Sequence, residues 1–188
     1  MSHTETSGLE FLLLSSCLMP GAKTFHENKT SVSVQPNPDE SILFFCIDDQ
    51  TKNPHCKGCG LRQFLWENRE GDHICDLILF YGRGADERIL CFVELKDNIK
   101  DLDKATKQVI ETFNGFKQRL RLNNQYKAKG FICSYSGSLP QEHQKYQKKL
   151  NDTFGQGNYE FNGEGDKLTE FLRGERKIGK GKRKKSKK

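Results

Sequence analysis

Apolar residues fall along the chain in runs of strand length. The clearest pair is Ile-Cys-Asp-Leu-Ile-Leu-Phe-Tyr at 74–81 and Ile-Leu-Cys-Phe-Val-Glu-Leu-Lys at 89–96, on either side of a Gly-rich stretch at 82–87. Two such runs about a turn of this kind predict a β-hairpin with a longer loop. Both runs are apolar at odd and even positions alike, so both strands belong inside a covered sheet. Upstream, Ser41–Ile47 reads as the first core strand, and residues 27–40, polar and broken by Pro36 and Pro38, read as a loop. Downstream, Leu102, Ala105, Val109, Phe113, Phe116 and Leu120 recur every three or four residues, which predicts an amphipathic helix over 102–121 capped by Asp97 or Asp101. Lys129–Tyr135 is the next strand, 140–150 a polar helix opening on Pro140, and 158–172 a short strand followed by a helix end. This order predicts an α/β domain with a mixed sheet of about four strands flanked by helices.

Charge changes the picture at the C-terminus. The chain has 188 residues and a net charge of +6, but residues 173–188 hold ten Lys or Arg against one Glu, leaving −3 for residues 1–172. The domain therefore spans 1–172, and 173–188 is a basic tail expected to be disordered alone. Only 34% of residues are hydrophobic and no run has the length of a membrane span. Phe11-Leu12-Leu13-Leu14 ahead of Ser15-Ser16-Cys17 is too short for an export signal and no Lys or Arg precedes it, so a short N-terminal helix carrying Glu10 is expected there. Seven Cys, an odd number, argue against a fully paired disulfide framework and point to a reducing, cytoplasmic setting.

Three charges break the hairpin's apolar runs: Asp76, Glu94 and Lys96. Antiparallel partners share a constant index sum, and a turn centred near Ala85 sets that sum at about 170. Asp76 and Glu94 should then face each other, with Lys96 on the face of Glu94. Two facing carboxylates repel, and both stay ionised only with positive charge between them. A hard divalent cation such as Mg²⁺ or Mn²⁺ suits that place, because it takes oxygen ligands and keeps water for a phosphate substrate. An ordinary ion pair at a strand end is the alternative use of these groups.

Asp76 followed by Glu94-Leu95-Lys96 at the end of a hydrophobic strand resembles the PD-(D/E)xK, or restriction-endonuclease-like, nuclease superfamily. The resemblance covers roughly residues 41–135. It implies a metal-dependent nuclease acting on phosphodiester bonds of nucleic acid, DNA above all, in repair, recombination or defence. Asp76, Glu94 and the Leu95 carbonyl would hold the metal, Lys96 would assist the water and the transition state, and Gln108 on the following helix would orient substrate. Glu10 matches a helix-borne Glu that some branches add as a metal ligand. The sequence departs from the pattern at Cys75, where the family has Pro, and at Thr112, where an aromatic often accompanies the Gln.

A second motif, Cys56-Lys57-Gly58-Cys59 in a Gly-rich loop at 55–60, has the spacing that places two thiolates on one structural zinc. Cys46, His73 and Cys75 are the candidates for the remaining ligands; a tight turn and a redox pair are the other readings. Beyond nucleic acid, a protein partner or a homodimer is a further expectation, and a non-catalytic nucleic-acid-binding or interaction subunit is the alternative to an enzyme.

Overall fold

The computed structural model of the chain describes residues 17–48, 73–120, 126–136 and 141–175. Its elements are β1 (Leu18–Met19), β2 (Thr24–Glu27), β3 (Thr30–Ser33), β4 (Glu40–Cys46), β5 (Leu77–Arg83), β6 (Glu87–Asn98), α1 (Leu102–Leu120), β7 (Lys127–Ser136), α2 (His143–Phe154), β8 (Tyr159–Gly163) and α3 (Leu168–Arg173). The main sheet has six strands in the order β1-β4-β5-β6-β7-β8, two more than the sequence suggests. Of the two edge strands, β8 falls in the 158–172 stretch expected to hold a short strand, while β1, two residues long, carries little apolar signal. The β1 to β6 pairings are antiparallel, and the β6–β7 and β7–β8 pairings are parallel, each joined through a helix.

Strand β6 lies at the sheet's centre between β5 and β7, and Ile89 to Leu95 are all buried. That is why it reads as apolar on both faces. On one face Phe92 meets Phe113 and Phe116 of α1 at 5.6 and 5.5 Å between ring centroids, and Phe154 of α2 at 6.3 Å. Gly130, beside Phe92 in register, permits this approach: a Cβ there would lie 2.8 Å from the Phe154 ring.

The other face of β6 and β7 is covered by the hairpin β2–β3 and by α3. Residues 27–40, expected as a loop, begin instead with this hairpin, whose strands pair from Thr24↔Ser33 to Glu27↔Thr30 around a two-residue turn. Asn28 takes the left-handed conformation that such turns favour (φ 50°). Phe25, Val32 and Val34 point inward between polar neighbours, a half-buried alternation diluted by Ser, Thr and His. Asp97 does not cap α1 as the sequence suggested; its Oδ1 accepts from the Lys29 N–H (3.1 Å), while Thr30 Oγ1 donates to the Lys96 carbonyl (2.9 Å). Asn98 caps the 3-10 turn Ile99–Asp101 that leads into α1, its side chain accepting from the Lys100 N–H at 3.0 Å.

The hairpin rests on the turn before α3, where a Cβ at Gly165 would fall 1.7 Å from the Ser31 carbonyl oxygen. Gly165→Ala is therefore expected to destabilise the fold by about 3 kcal/mol, by forcing backbone apart rather than rotating a side chain. Urea denaturation measures this, with Gly84→Ala, which meets no atom within 4 Å, as the control that registers only left-handed backbone strain. Equal losses at the two positions would remove the contact as the cause.

Helix α3 is held at its C-terminal end. Lys129 Nζ, buried, donates to the carbonyls of Phe171 (2.6 Å) and Leu172 (3.0 Å) and lies 4.8 Å from the Phe171 ring centroid. Burial lowers its pKa to about 8. Arg173 then forks onto Glu40, Nε to Oε1 at 2.6 Å and a terminal nitrogen to Oε2 at 2.7 Å. Tyr81 also donates to Glu40 Oε1 (2.7 Å), tying the C-terminal helix to the β4 and β5 ends that lie farthest from Asp76.

Candidate active site

The site forms where β5 and β6 open away from their turn. The ladder runs from Arg83↔Glu87 to Leu77↔Val93, whose index sum is the expected 170. Asp76 and Glu94 are the next pair along, and each carboxylate takes a backbone N–H from the opposite chain. The Asp76 N–H donates to Glu94 Oε2 (3.1 Å), and the Leu95 N–H donates to Asp76 Oδ2 (2.8 Å). Lys96 Nζ donates to Glu94 Oε1, as the shared face of the two side chains requires. Asp76, Glu94 and Lys96 thus meet as the register argument demands, and Leu95 enters through its N–H.

These groups are dry. Glu94 is 0% exposed and Asp76 5%. Burial raises the Asp76 pKa to about 7; the nearby charges of Glu27 and Asp48 add to the rise, while the Leu95 N–H and Lys96 oppose it. Burial and then Asp76 push Glu94 well above the usual carboxylate range, against the pull of Lys96. For Lys96, burial works to lower the pKa, but Glu94, Asp76 and Glu27 outweigh it and hold the ammonium charged. Desolvation dominates at both carboxylates, the neighbouring negative charges add to it, and one ammonium offsets only part of the total.

Helix α1 supports the site from behind. Gln108 is buried, its Nε2 donating to the Ile74 carbonyl at 2.8 Å. Thr112, one turn on, accepts the Cys75 N–H at 2.8 Å through Oγ1 and donates to the Gln108 carbonyl at 2.7 Å. The helix's inward face is therefore wider than its apolar stripe and includes these two polar residues. The sequence expects Gln108 to orient substrate; in the structure its Nε2 bonds main chain, while its buried Oε1 has no hydrogen-bond partner among the described residues.

Glu27 and Asp48 were not singled out from the sequence. Glu27 closes β2 within the polar stretch read as a loop, and alternation about Phe25 and Val32 is the one signal that would have placed it. Glu10, Cys56 and Cys59 lie outside the described residues. Of the further zinc candidates, Cys75 is fully buried with its Sγ donating to the Leu77 carbonyl (3.5 Å), and burial with the Glu94 charge raises its pKa well above the ordinary thiol value. A thiol in that setting packs as a small hydrophobe. Cys46, Cys75, Cys91 and Cys133 are buried thiols, whereas Cys17 is disulfide-bonded. The cysteines are thus not uniformly reduced.

The donor chemistry of the site fits a hard divalent cation that keeps most of its water: oxygen donors, a carboxylate pair, and net negative charge left over after Lys96. It does not form a closed cage, since among the described residues no group of three or more His, Cys, Asp or Glu side chains is arranged to hold a metal. Among the described residues, too, no helix is long and apolar enough to cross a membrane. In comparisons with known proteins, the chain matches no family model, no curated protein and no solved structure.

Proposed function

We propose that the chain is a Mg²⁺- or Mn²⁺-dependent nuclease of PD-(D/E)xK type, hydrolysing phosphodiester bonds in nucleic acid. The observation that carries this reading is the buried Asp76–Glu94 pair with Lys96 on Glu94, at the mouth of a hairpin whose strands are otherwise apolar. Carboxylates this dry cost stability unless they hold a cation, and clusters of that kind mark functional sites. A divalent ion bound there supplies charge neutralisation for the phosphodiester and for the attacking water. Asp76 and Glu94 hold that ion, their orientations fixed by the Leu95 and Asp76 N–H groups. Lys96, kept protonated by its acidic neighbours, faces the charge that grows on phosphate oxygens in the transition state. Leu95 completes the ligand set through its carbonyl.

Plasmid, linear and single-stranded DNA, and RNA, incubated with the full chain in Mg²⁺, Mn²⁺ or EDTA test the reading directly. Metal-dependent nicking or trimming is expected, and the substrate preference sorts endonuclease from exonuclease action. Binding of nucleic acid without turnover in either metal would move the chain to a non-catalytic binding module.

A further inference from the structure

We propose that Gln108 and Thr112 are positioning residues for Asp76: together they grip the carbonyl and the N–H of the Ile74–Cys75 peptide group, one residue ahead of it, and so fix where its carboxylate stands. The inference rests on the nuclease reading for its meaning, since it makes α1 part of the apparatus that presents a ligand. Its evidence is geometric. Strand pairing of β5 begins only at Leu77, yet Ile74 and Cys75 are buried, so their main-chain groups need partners from elsewhere. One helix partners the Ile74 carbonyl and the Cys75 N–H, the two polar atoms of the peptide group between them. Gln108 Nε2 holds the Ile74 carbonyl at 2.8 Å and Thr112 Oγ1 holds the Cys75 N–H at 2.8 Å.

The spacing of four residues stacks these side chains on one face of α1. The Thr112 hydroxyl spends its own proton on the Gln108 carbonyl (2.7 Å), so its lone pair has a fixed direction toward Cys75. The bonded path then continues through Asp76 into β6, by way of Asp76 Oδ2 to the Leu95 N–H and the Asp76 N–H to Glu94 Oε2. Helix α1 thereby reaches the carboxylate pair through the main chain alone. Neither side chain touches the reacting groups.

Saturating both polar atoms of one buried peptide group is a structural job any Thr or Gln can do, so the test must read transmission past Asp76. Amide hydrogen exchange by NMR in metal-free full-length protein provides it, comparing Thr112→Val, Thr112→Ser and Gln108→Met. The Leu95 and Asp76 amides are expected to exchange at least about tenfold faster in Thr112→Val and Gln108→Met, while Ile78 and Leu79 amides of the same sheet keep their rates. Thr112→Ser, which retains the hydroxyl, should restore wild-type exchange. In cleavage assays the first two variants should lose kcat about tenfold with KM nearly unchanged. If the Leu95 amide keeps its wild-type rate in Gln108→Met and in any folded Thr112→Val, the positioning role is overturned, however slow the variants are. Faster Leu95 exchange in a protein whose wild type cuts nothing upholds the grip and overturns the nuclease reading alone.

Discussion

Glu94→Ala is expected to lower metal-dependent cleavage by about three orders of magnitude, with Asp76→Ala close behind. Each removes half of the carboxylate pair that would hold the metal. Lys96→Ala should lose about 10²–10³-fold, the usual effect of deleting one charge-stabilising group. Stability moves differently. Removing either carboxylate relieves a buried repulsion, so both acid variants should melt at or above the wild-type temperature in EDTA. Removing Lys96 instead leaves two desolvated anions without their ammonium and should lower it.

The pH dependence follows from Asp76. Its pKa is raised from 3.8 to about 7 in the folded chain, so protonation stabilises the fold. That stabilisation is complete below the unfolded value and is lost as pH rises through about 7. Metal-free wild type should therefore melt progressively lower between pH 5 and pH 8, Asp76→Asn should flatten that slope, and Mg²⁺ should recover the loss at pH 8. Calorimetry with and without EDTA measures all three. Undiminished cleavage by Glu94→Ala would sink the assignment.

Deleting residues 176–188 is the second change expected to have a large effect. Those residues carry nine Lys or Arg and no acid, against a body that is net negative and repels a polyanion at long range. Stopping at Glu175 preserves the end of α3, where the Gly174 N–H donates to Phe171 and the Glu175 N–H to Glu170. Each phosphate neutralised by the tail releases counterion, so the log–log salt slope of duplex binding should become shallower by about 0.9 per lost contact, several units in all. Affinity should fall for all sequences alike, because phosphate contacts position without reading bases. Turnover at saturating substrate should hardly change.

The structure adds a length dependence to this. Arg173 roots the tail at Glu40, which pairs with Arg83, and β5 runs seven residues from there back to Leu77 beside Asp76. At about 3.3 Å per residue the root and the site are roughly 20 Å apart. The deletion should thus weaken long duplexes far more than ones under about six base pairs, at 3.4 Å per pair. Fluorescence anisotropy over salt and duplex length decides it; equal affinities and slopes for the two proteins would show that the tail is not the anchor.

The fold was most legible where apolar residues are dense. Strands β4 to β7 and helix α1 fall within a few residues of their expected bounds, because a strand buried on both faces and a helix with one apolar stripe each leave a local signature. The pairing of Asp76 with Glu94, and Lys96 beside Glu94, was legible for a similar reason: a turn fixes the index sum, and alternation fixes the face. Polar segments were not legible. Hairpin β2–β3 buries only Phe25, Val32 and a few polar groups, and it is ordered by docking on β6 and on Gly165, contacts that link residues 66 to more than 130 positions apart. The inward turn of Gln108 and Thr112 likewise depends on where the 74–75 peptide group, outside the strand ladder, arrives. Local sequence determined which apolar segments become strands and helices and how the central hairpin registers. Only tertiary structure decided which polar side chains those elements would bury, because a buried polar group is chosen by the partner it finds rather than by its neighbours in the chain.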